Sequence, residues 1–516
     1  MRIRRSGSAA ALAAALAALS VASVLAGESP LDRTGKQWDP FMEWSLEAPG
    51  FRGNPYELTA TVTFVHIESG EKRTTGMFYV GDQIWKFRFT ATRPGLWIFA
   101  TSSDEPDLAG RTGTVRVEPN PGASGFVTSF GSKWGRQGTG RAFVPQLVMY
   151  ATPGLYYRKP ERIDADIKTF LVDHGFSGFH TYVCCRWFDI GEMAYDHIRS
   201  DDPDPDPRTF EALELLITKT YAAGGMVHIW AWGDESRKWT PSRWGKNGRA
   251  DRRLQRYIAA RLGPLPGWTM GYGFDNFEWA TEADLREWHR YLHKQLGWPH
   301  LLGARAHKNQ LSQIYEDLDY SSYEQHRPDY PKYVETIDKR PGKPSFSEDR
   351  FRIRQGEEAD AASVADKDYD EEMTRRGLWH STMAGGVANI WGRLDGQQST
   401  LGSKPYDHPE WIKTWAEFFR LRFRKDLERH NPITDGVCLR SPDNRHFVFY
   451  KQDAASLRVN LAGMAMPLKA VAVDTTKPYA ELDLGTLKAE NQTWDAPRSS
   501  DWAIAVGDFA SQEDTR

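Results

Sequence analysis

Between residues 126 and 428 the chain alternates eight times between a short apolar run and a longer stretch, most of them amphipathic, and few architectures accept that order. The runs at 141–150, 176–187, 226–232, 268–274, 300–306, 319–323, 344–347 and 386–391 read as strands. Helical patterns fill 160–174, 209–223, 281–296, 369–383 and 409–427. Eight strand–helix repeats in about 300 residues match an α/β fold of the (β/α)8 TIM-barrel type in size and order.

The flanks have a different period. From 36 to 118 apolar residues alternate with polar ones, as where Trp85, Phe87 and Phe89 share one strand face and Lys86 and Arg88 the other. Gly/Pro/Asp turns break that alternation, so a β-sandwich of the Ig-like kind is expected before the barrel, with a linker at 118–125. Short strands recur at 447–450, 457–461 and 503–506, predicting a second sandwich over 430–510. At the start, Arg2, Arg4 and Arg5 precede an Ala/Leu/Val stretch to Ala26, the pattern of a bacterial secretory signal over 1–26. A secreted or periplasmic protein is therefore expected, with no membrane association after cleavage.

Charge excludes one class of partner. Lys and Arg number 66 against 69 Asp and Glu, so no basic excess exists to neutralise the phosphates of a nucleic acid. Three cysteines make no disulfide framework, and neither CxxC nor HExxH occurs, so no metal or cofactor is expected. The 20 Trp, 20 Tyr and 25 Phe suit a cleft in which aromatic faces stack on sugar rings.

In such a barrel the chemistry lies at the C-terminal ends of the strands. The second strand delivers His180, Arg186 and Trp187 there, and the third His228, Trp230 and Trp232. The fourth ends in Asp275-Asn276-Phe277-Glu278, and the fifth in Arg305 and His307. The sixth supplies Tyr323, Glu324 and His326, the seventh Glu348 and Arg350, and the eighth Trp391. Strands four and seven face each other across the mouth, so a carboxyl after the fourth and Glu348 after the seventh form the sharpest pair. Glycoside hydrolysis needs two such groups: one protonates the leaving oxygen, the other attacks the anomeric carbon or activates water. Their separation sets the outcome, about 5–5.5 Å for retention and about 6.5–9.5 Å for inversion. Arg186, Arg305, Arg327, Arg350 and Arg393 gather at strand ends, which would suit an anionic polysaccharide as substrate.

The N-terminal block, with Glu43-Trp44-Ser45, Asn54-Pro55-Tyr56, Trp85-Lys86-Phe87-Arg88-Phe89 and Pro94-Gly95-Leu96-Trp97, resembles the small β-sandwich that precedes many bacterial glycosidase barrels. The barrel is similar to clan A glycoside hydrolases, and Lys343-Pro344-Ser345-Phe346-Ser347-Glu348 resembles their strand-seven nucleophile motif. That resemblance implies a retaining hydrolase with Glu348 as nucleophile and an acid/base after strand four. The clan usually carries Asn-Glu at that point. Here Phe277 separates Asn276 from Glu278, so the acid/base is Glu278 on a shifted turn or else Asp275. Two other functions stay open: a non-catalytic carbohydrate-binding protein on a decayed barrel, and a polysaccharide lyase using Tyr323, His307 and His326.

Overall fold

The computed structural model describes residues 29–305, 316–325, 327–355, 370–395 and 399–509. The expected signal segment lies outside these residues. Eight parallel strands form the central sheet: β1 (Gln146–Met149), β2 (Gly178–Tyr182), β3 (Met226–Trp232), β4 (Trp268–Gly273), β5 (Leu302–Gly303), β6 (Ser321–Tyr323), β7 (Ser345–Gln355) and β8 (Ala388–Asp395). They lie in the order β5-β4-β3-β2-β1-β8-β7-β6, a nearly closed barrel. The remaining seam lies between β5 and β6. Among the described residues no ladder spans it; Asp319, just before β6, bridges it instead. Its N–H donates to the Leu302 carbonyl at 3.0 Å, and its carboxylate accepts the Leu302 N–H at 2.8 Å.

Alternation along the strands sorts the side chains into two layers. Val148, Phe179, Val227, Ile229, Met270, Leu302, Phe351 and Trp391 pack outward in one continuous core with helix residues such as Phe210, Leu213, Leu254, Leu378 and Phe418. Leu147, Met149, Met226, Trp230, Phe346, Ala388 and Ile390 fill the interior. The base is plugged by the strand Lys133–Arg136, whose Trp134 donates from Nε1 to the Ser345 carbonyl at 3.0 Å and packs against Tyr320 and Phe346. Strand β7 continues well past the expected residue 347. A register shift between Ser347 and Arg350 lets it resume pairing with β8 from Arg350–Ile390 to Gln355–Asp395.

The N-terminal β structure is a five-stranded sheet and a three-stranded sheet enclosing an aromatic core. Trp44 stacks on Phe87 at 5.0 Å and Phe64 on Phe89 at 4.1 Å. The C-terminal β structure is one six-stranded antiparallel sheet. Its longest strands, Phe447–Asn460 and Asn491–Val506, shift register twice where they pair, and both ends of the first feed one core through Phe447, Phe449, Leu457 and Val459. Among the described residues no helix is long and apolar enough to cross a membrane.

Buried charges fasten both flanks to the barrel. Arg88 of the N-terminal three-stranded sheet and Arg261 at the end of helix Arg249–Arg261 share Glu214 of helix Pro207–Ala222, at 2.8 and 2.6 Å. Burial opposes ionisation of Glu214, but the two guanidinium groups overcome it and hold its carboxyl below the usual range. Arg253, fully enclosed, binds Glu57, Asp202 and Asp204, so the Asp/Pro-rich loop after β2 is a docking element. At the other flank Arg375 meets Asp501 at 2.8 Å. Glu214→Ala would leave two buried cations side by side, so a loss of about 3–5 kcal/mol is expected. Urea denaturation of the variant checks it; an unchanged midpoint would show that the network contributes nothing to docking.

Candidate active site

The interior of the barrel holds a carboxyl group. Glu348 projects inward from the register shift of β7 and is 0% exposed. Trp230 of β3 donates from Nε1 to its Oε1 at 2.8 Å, and Ser322 of β6 donates to its Oε2. His228 Nε2 lies 3.0 Å from the same Oε1, and the Tyr320 hydroxyl 3.5 Å. His228 Nδ1 in turn lies 2.9 Å from His180 Nδ1. With the Glu348 oxygens as acceptors, the proton placement that satisfies this chain has His180 donating to His228 and His228 donating to Glu348. Room for the carboxyl comes from glycine. A Cβ on Gly271 of β4 would stand 2.0 Å from Glu348 Oε1, and one on Gly303 of β5 would stand 2.2 Å from the Tyr320 ring.

Above Glu348 lies Arg305, which follows β5 and is almost fully buried. Its guanidinium binds Asp275 at the end of β4 and, at 3.2 Å, Asp349 of β7. Burial works against its charge, but Asp275, Asp349, Glu324 and Glu348 together raise its pKa. Carboxylates from β4, β6 and β7 thus converge on one cation at the mouth. The guanidinium also lies 5.8 Å from the Trp230 and Phe274 rings.

Strand β4 ends in a left-handed residue, Asp275 (φ 51°), followed by one 3-10 turn, Asn276–Glu278. Asn276 is buried and donates to the Gly273 carbonyl at 2.8 Å. The turn carries Glu278 to the end of β3, where its Oε2 accepts the Glu235 N–H at 3.2 Å. Glu278 is exposed, yet its pKa is raised, first by partial desolvation and then by the charges of Asp275 and Asp234. Phe277 beside it is 46% exposed.

Several expected site residues lie elsewhere. Trp187 and Trp232 are buried in the outer core; Trp187 donates to the Ala231 carbonyl and Trp232 packs on Phe188. Trp391 faces the helices and donates to Gln146 Oε1 at 2.7 Å. Tyr323 also faces outward, with its hydroxyl on Gln325. His180, His228 and Trp230 line the barrel interior, where they surround Glu348 instead of meeting solvent. Arg186 sits half-buried on the turn after β2, with Nε and Nη1 enclosed and unbonded. Glu324 is buried after β6, and Arg393 is engaged by Asp407. His307, His326 and the side chain of Arg350 lie outside the described residues. Tyr320 and Ser322 were not anticipated as partners of Glu348. Their signal is parity: 320 and 322 share the inward face that 323 leaves. Trp239 was also missed; it is half-buried at the mouth and stacks on Tyr182 at 6.1 Å.

A family model described as a domain of unknown function, DUF5060, matches residues 34–104. No curated protein matches. Among solved structures, a protein from Bacteroides vulgatus ATCC 8482, assigned provisionally to the glycoside hydrolases, superposes with a TM-score of 0.72 at 16% identity, covering 92% of this chain and 99% of its own. A glycoside hydrolase of family 5 from the same organism gives 0.55 at 11% identity, over 76% of this chain and 95% of its own. A further glycoside hydrolase gives 0.54 at 11% identity, over 76% and 98%. At these identities the likeness establishes the barrel and its flanking sheets.

The fit of Gly271 against Glu348 predicts a coupling. Gly271→Ala alone is expected to cost about 1–3 kcal/mol by overpacking. In a Glu348→Ala background, where the obstructing carboxyl is gone, most of that cost should vanish. A double-mutant cycle in urea measures it, and additive costs would mean that the two do not touch.

Proposed function

We propose that the protein is an exported glycoside hydrolase that cleaves O-glycosidic bonds of a polysaccharide or oligosaccharide with retention, using two carboxyl groups. The observation that carries this is the convergence of β4 and β7 carboxylates on Arg305 at the C-terminal mouth, where a barrel enzyme works. Glu278 is the acid/base. It is open to solvent, and its raised pKa keeps a proton available for the leaving oxygen. Glu348 is the nucleophile, oriented by Trp230, Ser322 and His228, with Oε2 holding only the Ser322 hydroxyl among its hydrogen bonds named above. Phe277 and Trp239 offer aromatic faces for a sugar. The glycoside hydrolases of like fold and the basic, then apolar, first 26 residues support hydrolysis and export.

Glu348 has no access to solvent, so a sugar reaches it only when the side chains that enclose it move. That burial favours one second assignment: Asp349, at the mouth, attacks, and Glu348 orients the barrel interior. A lyase is disfavoured, since the Tyr323 hydroxyl points into the helix layer.

Product formation from a panel of neutral, uronate-rich and sulfated polysaccharides tests the proposal, with Glu348→Gln, Asp349→Asn and Glu278→Gln beside the parent. New reducing ends that Glu278→Gln and Glu348→Gln both abolish support it. Loss with Asp349→Asn while Glu348→Gln stays active transfers the nucleophile to Asp349. Products absorbing near the ultraviolet edge, or glycan bound and never cleaved, reject hydrolysis.

The pH profile gives a sharper prediction. Deprotonating the acid produces the alkaline limb of kcat/KM. Asp275 raises the Glu278 pKa, so Asp275→Asn should lower it and move that limb to lower pH. A limb that stays in place, or moves up, would remove Glu278 from the acid's role.

A further inference from the structure

Far from the mouth, at the opposite end of the barrel, two histidines and a carboxylate meet. His289 and His293 lie one turn apart on helix Glu282–Gln295, so their rings share a face and stand 4.3 Å apart. Asp319 approaches from the segment that enters β6. Its Oδ2 lies 2.7 Å from His293 Nε2 and 3.2 Å from His289 Nε2. One donor atom from each of the three lies within 4.8 Å of the others.

Hydrogen bonding alone leaves this cluster incomplete. His293 Nε2 bonds to Asp319, but His289 Nε2 points at the same oxygen without hydrogen-bond geometry and is shielded from solvent. An enclosed imidazole nitrogen without an acceptor is costly. One ion bound by all three groups would satisfy it. In a tetrahedral shell with bonds of about 2.0–2.1 Å, ligand atoms stand about 3.3 Å apart. His289 is already at that separation, and His293 needs to open by about half an ångström. Two imidazoles and one carboxylate suit Zn(II) or Co(II), whereas Ca(II) and Mg(II) take oxygen ligands.

We propose that His289, His293 and Asp319 form a structural site for one divalent transition-metal ion of the Zn(II) class, with water as fourth ligand. The ion would join the helix after β4 to Asp319, which already holds both backbone groups of Leu302 across the β5–β6 seam. It acts at the seam, where the described residues form no ladder, and it is independent of the chemistry at the mouth.

The test uses the full chain, stripped with EDTA and dialysed against ZnCl2, CoCl2, MgCl2 or CaCl2. One equivalent of zinc by elemental analysis is expected, with none of magnesium or calcium, and a thermal midpoint on the order of 2–4 °C higher. The Co(II) form should show visible absorption of tetrahedral intensity. His289→Gln and His293→Gln should each lose the equivalent and the absorption, while His197→Gln, at an exposed histidine elsewhere, keeps both. If either cluster variant fails to fold, the cobalt spectrum of the parent decides alone. Less than half an equivalent of zinc, octahedral cobalt, or zinc retained in both cluster variants would overturn the site.

Discussion

A carboxylate shut away from water has to be met by donors, and Glu348 is shut away in the middle of the barrel. The donors come from different strands: Trp230 and His228 from β3, and Ser322 from β6. The space comes from β4, where Gly271 has no Cβ to obstruct it. Each requirement fixes a register. Sliding β3 by one residue would turn His228 and Trp230 into the helix layer and leave the carboxyl without those donors. The buried carboxylate thereby specifies the arrangement of the strands around it as well as the chemistry proposed for it. An aliphatic interior would leave more registers open.

The barrel was legible because its apolar runs are separated by longer helical or loop stretches of opposite character. The expected 226–232 strand coincides with β3. Boundaries failed where local irregularity decides them. β7 outruns its expected end because a register shift at Glu348–Asp349 lets it resume pairing, and no periodicity announces a shift. β5 shrinks to two residues because, among the described residues, it ladders with β4 alone.

Strand-end position alone was enough to place Asp275, Glu278, Arg305 and Glu348 at the ends or irregularities of β4, β5 and β7. It could not separate the residues that face the mouth from those that face the helices, and so it also took in Tyr323 and Trp391. Parity resolves both: Ser322 and Ile390 face inward, so the next residue on each strand faces out. The burial of Glu348 was beyond sequence reasoning, since it depends on glycines far away along the chain. The His289–His293–Asp319 cluster escaped for a similar reason. Its two histidines are visible as a helical pair, but the carboxylate enters 26 residues later from another element.

The weakest part of the barrel and its most charged part share one strand. Among the described residues β5 has a single ladder, so its position depends on what holds its ends. At the upper end Arg305 is fastened to Asp275 and Asp349, which fixes it to β4 and β7. At the lower end Leu302 is fastened through both backbone groups to Asp319, which also receives His293. Burial opposes the Asp319 charge, but the two imidazoles beside it, His293 hydrogen-bonded and His289 close by, hold its carboxyl well below the usual range, so the lower clamp stays ionised through ordinary pH. The upper clamp differs, because its carboxylates are the groups a substrate would engage. If a sugar displaces Arg305 from Asp275 and Asp349, β5 loses its upper fastening just as the site fills, and the Asp319 clamp has to hold the strand alone. Rigidity at the base would then let the arginine at the mouth move without opening the barrel.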